Sequence, residues 1–306
     1  MPDEQGWQTP KRASRLLSID AALDQVQAGM TVAVGGFINS SHPMLAVRGL
    51  IRRGVKNLRL VGAASAGLEI DLLIAAGCVR EVVTPYISGE ALAPIGPAFR
   101  AAAQAGKIDV FELDEALYYA GLRAAAQRVP FNPWKAGLGT SFPQINPALR
   151  EMQDPASGEW VIAVPAINID VAFLHAACSD IYGNVQHVGH GYGDRAIYAA
   201  ADRTFVQVEK IVSNEEIRKE PLKTSIPGAD GVIRAPFGAH PYSSPGFYTE
   251  DAVHIGEYVK AATQWAKDGN FGPLQAYIDR YVMEPADHVA YLERIGLRRL
   301  FSLDEY

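Results

Sequence analysis

Met30-Thr31-Val32-Ala33-Val34-Gly35-Gly36-Phe37-Ile38-Asn39-Ser40-Ser41-His42-Pro43 is the stretch on which the fold turns. Met30 to Val34 is apolar and β-branched, and Gly35-Gly36 stops it, which reads as a buried strand running into a turn. Pro43 stands where a first helical turn tolerates proline. Met44 to Arg53 then continues as a helix that Gly54 terminates. Outward from there the same alternation recurs. Ala21 to Val26 reads as a short helix before the strand, and Leu58 to Val61 as the next strand after it. Glu69 to Ala76, closed by Gly77, is a helix; Val79 to Val83 is a third strand. Pro97 to Ala105, closed by Gly106, precedes the strand Asp109 to Leu113. Strands separated by helices of about ten residues predict βαβ units: an α/β fold with an open, mostly parallel sheet flanked by helices on both faces.

The second half continues the pattern less regularly. Asp114 caps a helix from Glu115 to Arg128, which Pro130 ends. Phe131 to Pro147 reads as a turn-rich loop with Gly-Leu-Gly-Thr-Ser at 137–141. Strands follow at Trp160 to Val164 and Val171 to His175, and Asp180 to Asn184 is a tight turn. Gly189 to Asp194 leads into a helix, Arg195 to Ala201, and a strand, Thr204 to Val208. One more strand, Gly231 to Ala235, a loop from Pro236 to Pro241, and helices Asp251 to Asp268 and Leu274 to Val282 complete the reading. No repeat, linker or low-complexity run interrupts it. Residues 21–306 are therefore expected to form one domain, with 1–20 as an N-terminal extension.

The chain has 306 residues and a formal net charge of −6, from 28 basic and 34 acidic side chains. An acidic chain without blocks of like charge argues against nucleic-acid and anionic-membrane binding. Cys78 and Cys178 stand a hundred residues apart, which excludes a disulfide scaffold and a CxxC site and fits a reducing compartment. The acidic, polar start at Met1 to Gln5 is unlike a signal peptide, and no apolar run approaches the length of a membrane span. A cytoplasmic protein is the expectation.

Several groups are candidates for chemistry. Gly35-Gly36 ends a strand before a helix, the geometry in which free amides bind an anion, although neither GxGxxG nor a P-loop lysine is present. Gly189, Gly191 and Gly193 also precede a helix and suit a phosphate; a tight connection explains them equally. His187, His190 and His240 lie in predicted loops without HExxH or a carboxylate partner, so no metal is expected. No GxSxG elbow supports a serine hydrolase. Glu90 and Asp114-Glu115 follow strands, where an open parallel sheet places its ligand crevice. Acids in a first helical turn also simply stabilise the helix dipole.

Taken together the segments resemble the α (A) subunit of the class I, glutaconate-type CoA-transferases. The resemblance rests on Val34-Gly35-Gly36-Phe37 with Pro43, Ala124-Ala125-Ala126 to Pro130-Phe131, Ala163-Val164-Pro165, Asp170-Val171-Ala172 and Asp180…Gly183-Asn184. It continues through Ser213-Asn214-Glu215-Glu216-Ile217 and Ala235-Pro236-Phe237-Gly238-Ala239-His240-Pro241. It implies CoA moving between an acyl-CoA and a carboxylic acid through a glutamyl-CoA thioester formed on a partner β subunit. That covalent route splits one difficult exchange into activated intermediates of similar energy. In this chain no glutamate stands in ExGxxG, which matches a nucleophile on the β subunit of an α2β2 assembly. The implied contribution of this chain is a wall of the site: an oxyanion or substrate loop from Gly35, Gly36, Gly137, Gly139 and Ser141, and CoA or substrate contacts at Gly191, Gly193 and His240. Coenzyme A is then a co-substrate, and no tightly bound cofactor is implied.

The stretch Asp114-Glu115…Pro130-Phe131…Gly137-Leu138-Gly139-Thr140-Ser141…Pro143-Gln144 is similar to the α subunit of a related hydrolase that opens the last rings of steroid catabolites as CoA thioesters. That similarity implies Glu115 as a catalytic carboxylate, with Glu90 the other candidate acid. A non-catalytic acyl-CoA or sugar-phosphate sensor is a third reading. It calls for a helix-turn-helix that the first 20 residues are too short to supply.

Overall fold

Residues 12–304 are described by the structure, a computed structural model. Ser18 caps helix α1 (Ile19–Leu23) by accepting from Ala21 N–H, and β1 (Thr31–Val34) follows. Then come α2 (Met44–Arg52), β2 (Leu58–Val61), α3 (Leu68–Ala75), β3 (Val79–Val83), α4 (Pro97–Gln104) and β4 (Asp109–Val110). Asp114 caps α5 (Glu115–Ala126) through Leu117 N–H, as its side chain at that position dictates. The middle of the chain holds β5 (Phe131–Trp134), α6 (Phe142–Ile145), β6 (Arg150–Gln153), β7 (Trp160–Pro165), β8 (Ile169–Ser179) and β9 (Asn184–Gln186). The remainder is α7 (Asp194–Ala200), β10 (Ala201–Ile211), α8 (Asn214–Lys219), β11 (Thr224–Pro227), β12 (Gly231–Arg234), α9 (Ala252–Asp268), α10 (Gly272–Ile278), α11 (His288–Ile295) and α12 (Leu297–Phe301).

Seven strands run parallel in the order β12-β10-β8-β1-β2-β3-β4. β9 adds antiparallel to the far end of β8, at Cys178 and Ser179, and β11 adds to β9. The alternation of β1 divides the core: Val32 and Val34 face α2, α3, α4, α9 and α10, while Ala33 faces α5, α7 and the second sheet. Every residue of α3 is buried, including Glu69 and Asp71, so this helix lies inside the molecule rather than on it. Asp71 accepts from the first-turn amides Ala98 (3.2 Å) and Phe99 (2.6 Å) and from Tyr258 Oη (2.6 Å), capping α4 from a neighbouring helix.

Three expectations need correction. Phe131 to Pro147 is not a loop throughout: Phe131–Trp134 is a strand, antiparallel to β7, and Phe142–Ile145 makes a helical turn. Pro133 is tolerated because β5 is an edge strand. Trp160 to Val164 does not extend the parallel sheet; with β5 and β6 it forms a separate three-stranded antiparallel sheet under α5. Leu274 to Val282 is helical in two parts, α10 and a π-helical turn over Asp279–Met283. Residues 1–11 of the expected N-terminal extension lie outside the described residues; at residues 15–17 the chain runs along β12, with Leu17 N–H donating to Val232 O and Val232 N–H to Arg15 O. No helix among the described residues is long and apolar enough to cross a membrane.

Candidate functional site

From β1 the chain crosses through α2 to β2 on one side, while the neighbour on the other side is β8, which crosses through α7 to β10. Such a reversal, at the carboxyl end of β1, is the place where open α/β sheets bind ligands. Gly35 and Gly36 stand at that point. Gly35 N–H donates to Phe173 O (3.0 Å), and Gly36 N–H donates to Asp194 Oδ1 (3.0 Å). Both amides are therefore used within the chain, which corrects the expectation that this turn offers free donors to an oxyanion. The reason for two glycines is close approach. A Cβ on Gly35 would sit 3.0 Å from Asp194 Cγ and closer still to its Oδ1 and to Leu174 Cδ2; one on Gly36 would sit 2.5 Å from His42 Nδ1.

Asp194 is fully buried at the start of α7. Its second oxygen lies 3.2 Å from His187 Nε2, and His187 Nδ1 lies 2.7 Å from Ser225 Oγ. The loop carrying Gly191 and Gly193 is thereby pinned beside Gly36. Within it Tyr192, at a left-handed φ of +43°, stacks on Phe37 at 4.9 Å with an interplanar angle of 4°. A cavity of about 490 Å³ opens on this loop, lined by His187, Gly191 and Ser225 together with Arg195 and Lys223. A more apolar cavity of about 640 Å³, lined by Phe131, Trp134, Met152 and Val161, belongs to the small sheet and shares no residue with the β1 turn.

Glu115 is exposed at the first position of α5. One turn on, Tyr119 has its hydroxyl pushed up by burial, with the charges of Glu115 and Asp194 adding to the effect. A Cβ on Gly193 would stand 3.0 Å from Tyr119 Oη, so Tyr119 links Glu115 to the Asp194 loop. Gly137 has a left-handed φ of +91°, and a Cβ there would lie 3.5 Å from Leu117 of the same helix. Asn146 Nδ2 donates to Glu112 O (2.8 Å) and ties this loop, with exposed Gly139 and Ser141, to the entry of α5. Glu90, in the loop after β3, is exposed at a left-handed φ of +53° with its N–H on Ser88 Oγ (2.8 Å).

His240 is not at the strand ends in any accessible sense. It is fully buried, with Nδ1 2.7 Å from Tyr291 Oη and Nε2 3.1 Å from Asp251 Oδ2, so the expected CoA or substrate contact is corrected to a structural histidine. Asp251 in turn takes Arg299 bidentately and caps α9 through His254 N–H. Burial acts to raise the Asp251 carboxyl, but the hydrogen bonds from His240 and Arg299 outweigh it and hold it well below the usual carboxylate range. Among the described residues no group of three His, Cys, Asp or Glu side chains is placed to hold a metal ion.

The residues that sequence reasoning passed over are His42, Glu69, Asp194 and Tyr119; His187, weighed there only as a metal ligand, does have a carboxylate partner, Asp194. His42 Nδ1 is 2.9 Å from Gly35 O and 3.3 Å from Glu69 Oε1, and its Nε2 is 2.8 Å from Ile38 O. Glu69 accepts from Gly67 N–H through Oε1 (3.1 Å), while its Oε2 has no hydrogen-bond partner among the described residues. The only available signal was position: His42 directly precedes the helix-starting Pro43, and Asp194 ends the glycine-rich 189–193 run.

The family described as coenzyme A transferase matches residues 16–230. The chain is 35% identical over 296 residues to the cholesterol ring-cleaving hydrolase IpdA subunit of Rhodococcus jostii, covering 90% of this chain and 99% of that one. It is 32% identical over 303 residues to a glutaconate CoA-transferase subunit from Acidaminococcus fermentans, covering 93% and 92% respectively. The crystal structure of the Acidaminococcus fermentans glutaconate coenzyme A-transferase superposes with a TM-score of 0.87, at 30% identity and 96% coverage of both chains. The open parallel sheet, its switch point at Gly35-Gly36 and these similarities agree: this chain belongs to the coenzyme A transferase family.

Proposed function

We propose that this chain is the α subunit of a heteromeric CoA-transferase, moving CoA between an acyl-CoA and a carboxylic acid in an α2β2 assembly with a β subunit of the same family. The observation that carries the reading is the full-length match to a glutaconate CoA-transferase at a TM-score of 0.87. Subunit names among the relatives support a partner chain, and the two free thiols suit a cytoplasmic setting.

In this reading a carboxylate of the partner attacks the acyl-CoA carbonyl, forming an anhydride and releasing CoA thiolate. The thiolate then attacks the enzyme's own carbonyl of that anhydride, frees the first acid and leaves an enzyme thioester. A second acid reverses both steps. This chain walls the site with Gly35-Gly36 and the Phe37–Tyr192 stack. Because the Gly35 and Gly36 amides are engaged internally, they are not the donors that stabilise the tetrahedral oxyanion in this reading. In the cavity beside Gly191, Lys223 is paired with Glu220 at 2.7 Å, so Arg195 is the cation that offers positive charge to the phosphates of CoA.

A second reading, hydrolysis of a ring-containing acyl-CoA, is favoured by one observation: exposed Glu115 beside Tyr119 at the entry of α5, in a chain 35% identical to IpdA. Glu115 would then act as the base. The test is to co-express the chain with its β partner and supply acyl-CoA with and without free acetate or succinate. Transfer of CoA to the added acid supports the first reading. Loss of acyl-CoA that needs no second acid supports the hydrolase, and turnover by the lone chain refutes both.

A further inference from the structure

The peptide joining Gly35 to Gly36 is gripped from both sides. Its carbonyl faces His42 Nδ1 at 2.9 Å, and its N–H donates to Asp194 Oδ1 at 3.0 Å. The other ring nitrogen of His42 faces a second carbonyl, Ile38 O, at 2.8 Å. Carbonyl oxygens only accept, so both ring nitrogens have to donate, and an imidazole that donates from both is an imidazolium. The counter-ion is at hand: Glu69 Oε1 lies 3.3 Å from Nδ1, and both side chains are fully buried. Burial pulls the His42 ring down to about 4 and pushes the Glu69 carboxyl up to about 8, so the pair together holds one proton across the interval between. Burial alone leaves that proton on Glu69; the two carbonyl acceptors at the ring nitrogens draw it towards His42, and the clamp requires that they prevail.

The turn bridged by this ring is strained. Gly36 has φ +107°, and Ile38, a β-branched residue, has φ +49°. Ser41, at φ +58°, adds a third left-handed residue in the same segment. Such strain persists only where the surroundings over-determine it, and it marks functional turns. Glycine is required on both sides of the ring: a Cβ on Gly67 would lie 3.0 Å from His42 Nε2, as one on Gly36 would lie 2.5 Å from Nδ1. Phe37, between the two carbonyls that His42 holds, carries one half of the stacked pair that walls the crevice.

We propose that His42 is a positioning residue of the proposed acyl-CoA site: a buried imidazolium, neutralised by Glu69, that clamps the Gly35–Ile38 turn and so holds the Phe37–Tyr192 wall in place. This deepens the functional reading above and rests on it for its catalytic consequence, though not for the clamp itself. The other titratable groups facing the pair are Asp194 from α7, His175 from β8, Asp71 from α3 and Tyr242, whose ring meets His42 edge-on at 4.7 Å.

The test labels histidine with nitrogen-15 in the full chain assembled with its partner and reads the ring at pH 7, with H42Q assigning the signal. The expected result is protons on both nitrogens of His42. In E69Q the counter-ion is gone, and the ring is expected to lose one proton while the Phe37 and Tyr192 ring-current shifts move. E69D keeps the charge and is expected to keep the ring protonated. In acyl-CoA turnover E69Q is expected to fall about tenfold or more in kcat/KM, with E69D at least about threefold above it. A bare nitrogen on His42 in the parent protein, or an E69Q protein with unmoved ring shifts and unchanged kcat/KM, overturns the proposal. A loss equal in E69Q and E69D also overturns it, because packing rather than charge would then be responsible. A parent assembly without any acyl-CoA chemistry would sink the functional reading alone, since the ring spectra still decide the clamp.

Discussion

Adding one methyl group at two glycines is expected to act in opposite directions. Gly35→Ala places a Cβ 3.0 Å from Asp194 Cγ, and nearer to Asp194 Oδ1 and Leu174 Cδ2, all in the fully buried interior. Overpacking of this kind costs about 1–3 kcal/mol. If Asp194 gives way, the buried Gly36 N–H loses its acceptor, which costs about another 1–3 kcal/mol. The sum, about 2–6 kcal/mol, is a large share of the roughly 5–15 kcal/mol that holds a folded protein together. Gly256 lies inside α9, and a Cβ there meets nothing within 4 Å. Alanine at this site is expected to stabilise by about 0.5–1 kcal/mol through helix propensity. The assay is urea unfolding of the assembled protein, followed by far-ultraviolet circular dichroism and by tryptophan fluorescence, with coincident transitions required before midpoints are compared. Equal midpoint shifts for the two variants, or a Gly35→Ala midpoint at or above the parent's, would refute the close-approach account of the Gly-Gly turn.

Three further outcomes are expected. Asp251→Asn removes the anion shared by Arg299 and His240 and is expected to cost about 2–4 kcal/mol at neutral pH. Because the folded Asp251 carboxyl is depressed, its contribution is present above the unfolded carboxylate pKa of about 4 and is lost as pH falls towards the folded value, so the gap between variant and parent should narrow in acid; a gap that widens there contradicts the assignment. Cys78 is 1% exposed with its thiol pushed up to about 11 by burial, and it is expected to react with a disulfide reagent at pH 8 only on unfolding; prompt modification in the native state would show that the strand edge at Val79 opens. Glu115→Gln in the assembled enzyme is expected to leave CoA transfer within about threefold of the parent while cutting any hydrolytic turnover by about 100-fold, the usual scale of a lost general base. If neither rate moves, Glu115 has no catalytic part.

Much of the architecture could be read from local pattern. Val32, Ala33 and Val34 before two glycines, Pro43 before an apolar run, and Asp114 before Glu115 each place an element boundary within a residue or two of where it lies. These signals are local: the capping oxygen, the ring of proline and the left-handed glycine act within one turn of chain. The antiparallel sheet was less legible. Arg150–Gln153 has only Met152 as an apolar member, and Pro133 argues against a strand unless the strand is at an edge, which is a fact about neighbours. Helices α11 and α12 escaped as well, since the face they bury packs largely around Tyr291 and Leu300.

The site divides along the same line. Residue types and spacing were enough to direct attention to the β1 turn, the 189–193 loop and the entry of α5, because glycines beside strand ends and acids at helix starts announce themselves within a few positions. What those groups do depended on partners far away in the chain. Gly36 and Asp194 are 158 residues apart, and it is this pairing that takes the amide out of service as a free donor. His240 and Tyr291, separated by 51 residues, turn an apparent loop histidine into a core one. His42 and Glu69, 27 positions apart, come within 3.3 Å of each other only because α3 is buried against the turn. Burial, and the distance between charges that burial sets, are properties of the packed chain as a whole, and no window of sequence contains them.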